Sequence, residues 1–127
     1  MTSRRQARRQ ALILVYQWDL SGNELGSQFA GEIDPWAREL AGETVAGAEE
    51  LDAQITAAAL GWTADRLGTV ERSALRVAIR ELERGEVPAE VVIDEAVGFT
   101  KRYASDEGAR LVNGILGRIQ REEAMKQ

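Results

Sequence analysis

Four arginines cluster near the start of the chain: Arg4, Arg5, Arg8 and Arg9. Guanidinium groups hold phosphates in a bidentate grip and stack on flat rings, so such a cluster is suited to binding an anion. The charge is also uneven, because residues 1–20 carry a net charge of +3 although the whole chain carries −5. A basic end on an acidic chain can approach an anionic partner while the rest discourages non-specific contacts. The alternative interpretation is a solvated helix end with no binding role.

Catalytic chemistry has few candidates in this sequence. It contains no cysteine and no histidine, which excludes thiolate nucleophiles, imidazole bases and Cys/His zinc sites. Neighbouring carboxylates occur in four pairs, at Glu49-Glu50, Asp94-Glu95, Asp106-Glu107 and Glu122-Glu123. Adjacent residues of a helix point about 100° apart, so these pairs cannot work together as an acid and a base. We therefore predict no enzyme activity, no catalytic residue, no metal site and no cofactor.

The arginines must be positioned by the first helix. Its apolar residues recur at steps of three and four along one stripe, and these are Ala7, Ala11, Leu14, Val15 and Trp18. The four arginines lie mainly away from that stripe, so the pattern predicts that they face solvent. Thr2 or Ser3 can cap the helix, which is predicted to end near Leu20.

The remaining elements are also predicted to be helical. Asp34-Pro35 is a helix start, with an acid at the N-cap and proline at the first helical position. The periodicity predicts further helices over residues 35–46, 49–60, 70–84, 89–103 and 106–124, with a short helical turn at 63–67. We predict an all-α fold, a compact bundle of about six to seven helices. No internal boundary is visible, so residues 1–127 are predicted to form a single domain.

No segment has the length of a membrane span. The longest apolar runs, such as residues 11–16, have about six residues, whereas a spanning helix needs roughly 20. We therefore predict no membrane contact. The lack of cysteine is typical of the cytoplasm, which is the predicted location.

Four groups of residues follow one another along the chain in a fixed order. They read Arg8-x2-Ala11 with Leu14-x-Tyr16-Gln17, then Trp62-x3-Arg66-Leu67-x3-Glu71-Arg72-x2-Leu75-Arg76-x-Ala78-x2-Glu81-Leu82, then Pro88-x3-Val92-Ile93-x-Glu95-Ala96-Val97-x3-Lys101, and finally Val112-Asn113-Gly114-x-Leu116. Together, in a cysteine-free helical chain of this size, they resemble the NusB family of bacterial transcription antitermination factors. The resemblance extends from about Arg4 to Ile119, which is nearly the whole chain.

The resemblance implies an all-α adaptor rather than an enzyme. Family members bind ribosomal protein S10, also called NusE, and the pair binds the boxA element of nascent RNA. That complex joins RNA polymerase and suppresses termination, notably on ribosomal RNA operons. Both monomers and dimers occur in the family, so the resemblance is compatible with a monomer and with a homodimer.

The resemblance also assigns binding roles to residues of this chain. RNA-binding roles fall to the basic start of the first helix and to two later cations, namely Arg4, Arg5, Arg8, Arg9, Lys101 and Arg110. Single-stranded RNA suits such a cluster, because guanidinium groups grip phosphates and stack on unpaired bases. Tyr16 and Glu71 match family positions near the S10 contact and are predicted partner-binding residues.

Structural roles compete with binding roles at several positions. Tyr16 is expected to be a half-buried ring with its hydroxyl at the surface. Trp62 is expected in the core, and Asn113 is expected to satisfy buried polar groups. The arginines that recur at four-residue steps are expected to form a solvated face with at least one member tied into the interior, and they are Arg72, Arg76, Arg80 and Arg84.

The chain departs from the family pattern at Asp94. Family members commonly carry an asparagine there, and an ionised aspartate cannot donate the hydrogen bond that an asparagine donates. An alternative function also fits the charge pattern, since residues 21–65 hold nine acids and one base. That alternative is an all-α protein–protein interaction adaptor without significant RNA binding.

Overall fold

The computed structural model describes residues 2–126, and within this range the chain is helical and contains no strand. The helices are α1 (Arg4–Ser21), α2 (Pro35–Ala46), α3 (Ala48–Ala58), a 3₁₀ helix (Ala64–Arg66), α4 (Thr69–Arg84), α5 (Ala89–Tyr103) and α6 (Asp106–Met125). The predicted all-α class is confirmed, and the predicted helix ends differ from the observed ones by one or two residues at most. No helix in the described part of the chain is long and apolar enough to cross a membrane.

Local signals set the starts of α1, which carries the N-terminal arginines, and of α2, which packs against it. At α1, the Ser3 hydroxyl accepts a hydrogen bond from the Gln6 N–H at 3.1 Å, and the Gln6 side chain accepts one from the Ser3 N–H at 2.9 Å. This reciprocal capping box satisfies two donors that the helix leaves unpaired. At α2, Pro35 takes the first helical position and the Asp34 carboxylate accepts from the Trp36 N–H at 2.8 Å, as the Asp-Pro signal predicts.

The central helix of the bundle is α4, which packs against α1, α2, α3, α5 and α6. Every residue from 73 to 79 is buried. The largest fully buried apolar side chains come from five helices and include Leu14, Leu40, Ile55, Leu75, Ile79 and Leu116. Because α1 and α5 both lie on α4, a groove remains open between them.

Two predictions about burial are wrong. Trp62 is 53% exposed, because it lies in the connection after α3, where Leu60 and Gly61 adopt left-handed backbone angles and turn the chain outward. Asn113 is exposed. Adjacent residues of a helix point about 100° apart around its axis, so a residue beside a buried one can face solvent. Its neighbour Val112 faces the core, so Asn113 faces away from it.

Ion pairs tie the end of α1 to α3 and α4. Arg72 donates to Asp19 at 2.6 Å, and Arg76 lies 3.2 Å from the other Asp19 oxygen and 2.7 Å from Asp52. Arg76 is 6% exposed, so the expectation that at least one arginine of the α4 series enters the interior is confirmed. Arg84 and Arg80 instead reach Glu43 on α2.

Candidate functional site

The four N-terminal arginines do not form one cluster. Side chains four residues apart on a helix point about 40° apart around its axis, whereas adjacent side chains point about 100° apart. Arg5 and Arg9 therefore share one side of α1, and Arg4 and Arg8 share another. The first pair faces α5, and the second pair faces α2 and α4.

Arg8 is buried, so the prediction that it faces solvent is wrong. Its exposed fraction is 4%, and its guanidinium donates two hydrogen bonds to the Glu81 carboxylate, at 2.6 and 2.7 Å. The hydrogen bond with Glu81 raises the pKa of Arg8 above its ordinary value. The physical reason for the burial is spacing, since Arg8 precedes the buried residues Ala11, Leu12 and Val15 by three, four and seven positions. The fork of donors that would grip a phosphate is therefore already occupied by a carboxylate.

Arg4 is exposed, but it lies on an aromatic ring rather than in the groove. Its guanidinium carbon is 4.3 Å from the centre of the Trp36 ring on α2. The guanidiniums of Arg8 and Arg84 also lie within 6 Å of that ring, at 5.8 and 5.7 Å. Cation–π contacts of this kind hold guanidinium groups in place while leaving their donors free for other partners.

An open groove of about 320 Å³, the arginine groove, lies between α1 and α5. Its lining comes from α1 and α5, and consists of Arg5, Arg9, Leu12, Asp94, Glu95, Gly98, Phe99, Arg102 and Tyr103. Arg5 lies 3.3 Å from the Glu95 carboxylate, and its side chain is 72% exposed. Among residues 2–126, neither Arg9 nor Arg102 has a carboxylate within ion-pair distance. The groove thus holds guanidinium groups with donors available to an anion.

The two later cations behave differently. Lys101 is exposed and lies seven residues, or about two turns, after Asp94, which places the two residues on the same edge of α5. Arg110 is exposed on α6. Neither cation is part of the groove lining, so the structure places Lys101 beside the groove and Arg110 on another helix.

A second cavity, of about 280 Å³, surrounds Tyr16. Its lining consists of Ile13, Tyr16, Gln17, Val70, Phe99 and Tyr103. Tyr16 is half-buried, as expected. The rings of Phe99 and Tyr103 lie 4.8 Å apart and line both cavities, so the arginine groove and the Tyr16 cavity adjoin along α5.

Glu71 lies beside this second cavity, next to Val70, at the start of α4. Its carboxylate reaches the first turn of α6, where a Cβ on Gly108 would come within 3.0 Å of a Glu71 oxygen. A larger residue at position 108 would require the Glu71 carboxylate to shift by a few tenths of an ångström. A carboxylate near the starts of two helices is stabilised by the helix dipoles. Tyr16 and Glu71, predicted as one partner site, are thus brought to the same end of the bundle.

Sequence reasoning missed Arg102 and Trp36. Arg102 follows Asp94 and Gly98 at steps of four, so its place on the groove side of α5 can be read from the helix period. Trp36 carries no such signal, because the partner of an aromatic ring on another helix depends on tertiary packing. The burial of Arg8 can be read from the helix period, because Arg8 precedes Ala11, Leu12 and Val15 by three, four and seven positions, but its partner Glu81 cannot.

The side chains of the groove suit the binding of an anion. Within the described residues no group of three or more acids is placed to hold a metal ion. The groove offers three guanidinium groups beside two aromatic rings, a combination that binds phosphates and flat bases.

Comparison with known proteins identifies the relatives of the chain. The NusB family model matches residues 5–121. Transcription antitermination protein NusB of Solibacter usitatus is 35% identical, over 96% of this chain and 91% of the relative. The protein of the same name from Anaeromyxobacter dehalogenans is 38% identical, over 94% of this chain and 92% of the relative.

Solved structures of NusB proteins share the fold of this chain. A crystal structure of the antitermination factors NusB and NusE in complex with double-stranded RNA superposes with a TM-score of 0.81 at 30% identity, covering 94% of this chain and 96% of that one. The solution structure of NusB from Aquifex aeolicus superposes with a TM-score of 0.80 at 32% identity, covering 100% of this chain and 93% of that one.

Proposed function

The chain belongs to the NusB family, and we propose that it acts in transcription antitermination by binding boxA RNA together with ribosomal protein S10 (NusE). The observation that carries this proposal is the open basic groove between α1 and α5, which adjoins the Tyr16 cavity through Phe99 and Tyr103. A relative of this fold forms a complex with NusE and RNA, which supports the same pair of ligands here.

RNA binds to the groove through its backbone. Arg5 and Arg9 supply cations from the groove lining, and Lys101 and Arg110, which are exposed outside that lining, add further contacts. Affinity for single-stranded RNA falls with salt, with a slope of about 0.7 per phosphate contact in log units. A handful of contacts on a chain of net charge −5 gives weak binding alone. Selective binding therefore depends on a partner that adds contacts.

S10 binds over Tyr16 and Glu71. The cavity around Tyr16 is lined mainly by apolar and aromatic groups, with the Glu71 carboxylate beside it, which suits a partner that presents an apolar side chain and a cation. Because this cavity adjoins the groove, S10 bound there would extend the RNA surface without covering it. Because the two sites adjoin, S10 and boxA RNA would bind together, each in contact with the surface that holds the other.

As an antitermination factor, the protein works as an adaptor within the RNA polymerase complex and has no catalytic activity of its own. Its site of action is the cytoplasm, where bacterial RNA is transcribed.

One observation favours a second function, that of a protein-interaction adaptor without RNA binding. Leu60 and Trp62 are 66% and 53% exposed on the connection after α3, away from the groove lining. Exposed large apolar side chains close together are typical of protein contacts. In this alternative the arginine groove has no ligand.

Fluorescence anisotropy of a labelled boxA RNA separates these functions. The protein is titrated with and without purified S10, against a scrambled RNA of equal length and composition. We expect weak binding alone and tighter, sequence-selective, salt-dependent binding when S10 is present. Equal affinity for boxA and scrambled RNA in both conditions would overturn the proposal and leave the protein-interaction function.

A further inference from the structure

We propose that Arg102 is a third phosphate-binding arginine of the α1–α5 groove, acting with Arg5 and Arg9 on the RNA backbone. This inference rests on the proposed function and deepens it, because it adds a contact from α5 to a surface otherwise assigned to α1. The ligand chemistry is a phosphodiester backbone, which a guanidinium fork can grip through two oxygens.

Position is the first support for this role. Arg102 is exposed, lines the same groove as Arg5 and Arg9, and lies across the groove from them on the last turn of α5. No carboxylate among residues 2–126 is within ion-pair distance of it. A chain of phosphates laid along the groove would thus meet cations on both walls.

Orientation is the second support. The Arg102 guanidinium carbon lies 5.5 Å from the centre of the Tyr103 ring. A guanidinium that lies over a ring keeps its N–H donors pointing outward from its edge. The contact reduces the freedom of a long side chain before the ligand arrives, so less entropy is lost on binding.

The charge balance of the groove is the third support. Arg5 and Arg9 face two acids in the groove lining, Asp94 and Glu95. Without Arg102 the charges of these four lining side chains cancel. With Arg102 the lining carries one net positive charge, to which the exposed Lys101 beside the groove adds, and a positive potential attracts a polyanion.

A purely structural role for Arg102 is the competing explanation. It is a cation in the last turn of α5, where it stabilises the helix through the macrodipole. Such a role affects thermal stability but leaves the salt dependence of RNA binding unchanged. The two roles therefore predict different measurements.

The test measures boxA affinity in the presence of S10 over a series of salt concentrations. Arg102→Gln removes the charge, Arg102→Lys keeps it, and Arg118→Gln is the matched control. Arg118 is an arginine of α6, 38% exposed by its side chain, that does not line the groove. Thermal unfolding of each variant shows that it is folded.

We expect Arg102→Gln to lower the slope of log affinity against log salt by about 0.7, the value of one phosphate contact. That change corresponds to an affinity loss about fivefold larger at 0.1 M salt than at 1 M. Arg102→Lys should retain most of the slope, and Arg118→Gln should match the wild type.

Failure of this inference and failure of the proposed function look different. If the wild type binds boxA selectively and Arg102→Gln keeps the full slope, the inference is wrong and the function stands. If Arg118→Gln lowers the slope as much as Arg102→Gln does, the effect belongs to overall charge, and the inference is also wrong. If the wild type shows no selective binding, both fail together.

Discussion

The two sides of α1 put the same kind of residue to opposite uses. On the side facing α4, Arg8 is buried and gives both forked donors to Glu81. On the side facing α5, Arg5 and Arg9 line an open groove with donors that solvent can reach. Arg8 and Arg9 are adjacent in sequence, yet one is part of the core and the other part of the surface proposed to bind RNA.

The position of an arginine around the helix axis and the group opposite it determine what the arginine does. A buried guanidinium needs a carboxylate that satisfies it, and once satisfied it holds two helices together. An exposed guanidinium gains little from a neighbouring carboxylate, because water screens the pair. It is therefore free to exchange that neighbour for a phosphate.

The largest expected effect is the loss of the buried pair. Arg8→Ala leaves the Glu81 carboxylate buried without its partner, and we expect the free energy of unfolding to fall by about 3–5 kcal/mol. Arg9→Ala, the adjacent control, should change it by no more than about 0.5 kcal/mol. Urea unfolding followed by circular dichroism measures both. Equal stability of the two variants would remove the distinction between the two sides of α1.

The next effect concerns the groove. The double change Arg5→Ala and Arg9→Ala removes two proposed phosphate contacts, so the salt slope for boxA binding with S10 should fall by about 1.4. Thermal stability should be close to that of the wild type, because neither side chain is buried. An unchanged slope in a folded double variant would show that RNA binds elsewhere.

Much of this molecule can be predicted from its sequence. Caps, prolines and the 3.6-residue period determine the helices, because these are local signals. The period also places Arg5 and Arg9 on one side of α1. What it does not supply is the partner across the interface: nothing local says that Glu81 of α4 faces Arg8, or that the Trp36 ring faces Arg4.

The failed predictions have the same origin. Trp62 is predicted in the core, but it follows Leu60 and Gly61, whose backbone angles are left-handed, and it is exposed. Asn113 stands among apolar neighbours in sequence, but on the helix it points away from them. In both cases the local backbone geometry decides the exposure, and the residue type and its sequence neighbours do not reveal that geometry.

Glu71 provides an effect of intermediate size, at the end of the bundle where S10 is proposed to bind. Glu71→Gln keeps the shape and removes the charge, and we expect S10 affinity to fall about tenfold, as for one charged hydrogen bond. Glu107→Gln is the matched control, since Glu107 is an exposed acid in the first turn of α6. Calorimetric titration with S10 measures both, and equal affinities would exclude Glu71 from the contact.

The smallest effect sharpens the comparison between the acids rather than the arginines. Asp94 lines the groove near water, whereas Glu81 is buried. Asp94→Asn removes a charge that opposes phosphate, so RNA affinity with S10 should rise by about two- to threefold at low salt and return to the wild-type value at high salt. A loss of affinity at low salt would mean that the Asp94 carboxylate itself takes part in binding.

The most direct test of the account exchanges the buried pair for apolar side chains and compares it with the adjacent arginine. The double variant Arg8→Met with Glu81→Leu removes both charges together, so no buried charge is left alone and the fold is retained. Its boxA binding with S10 is measured over a salt series beside that of Arg9→Gln. We expect a wild-type slope for the double variant and a slope lower by about 0.7 for Arg9→Gln. A folded double variant that loses the slope while Arg9→Gln keeps it would show that the buried pair, and not the groove, binds the RNA.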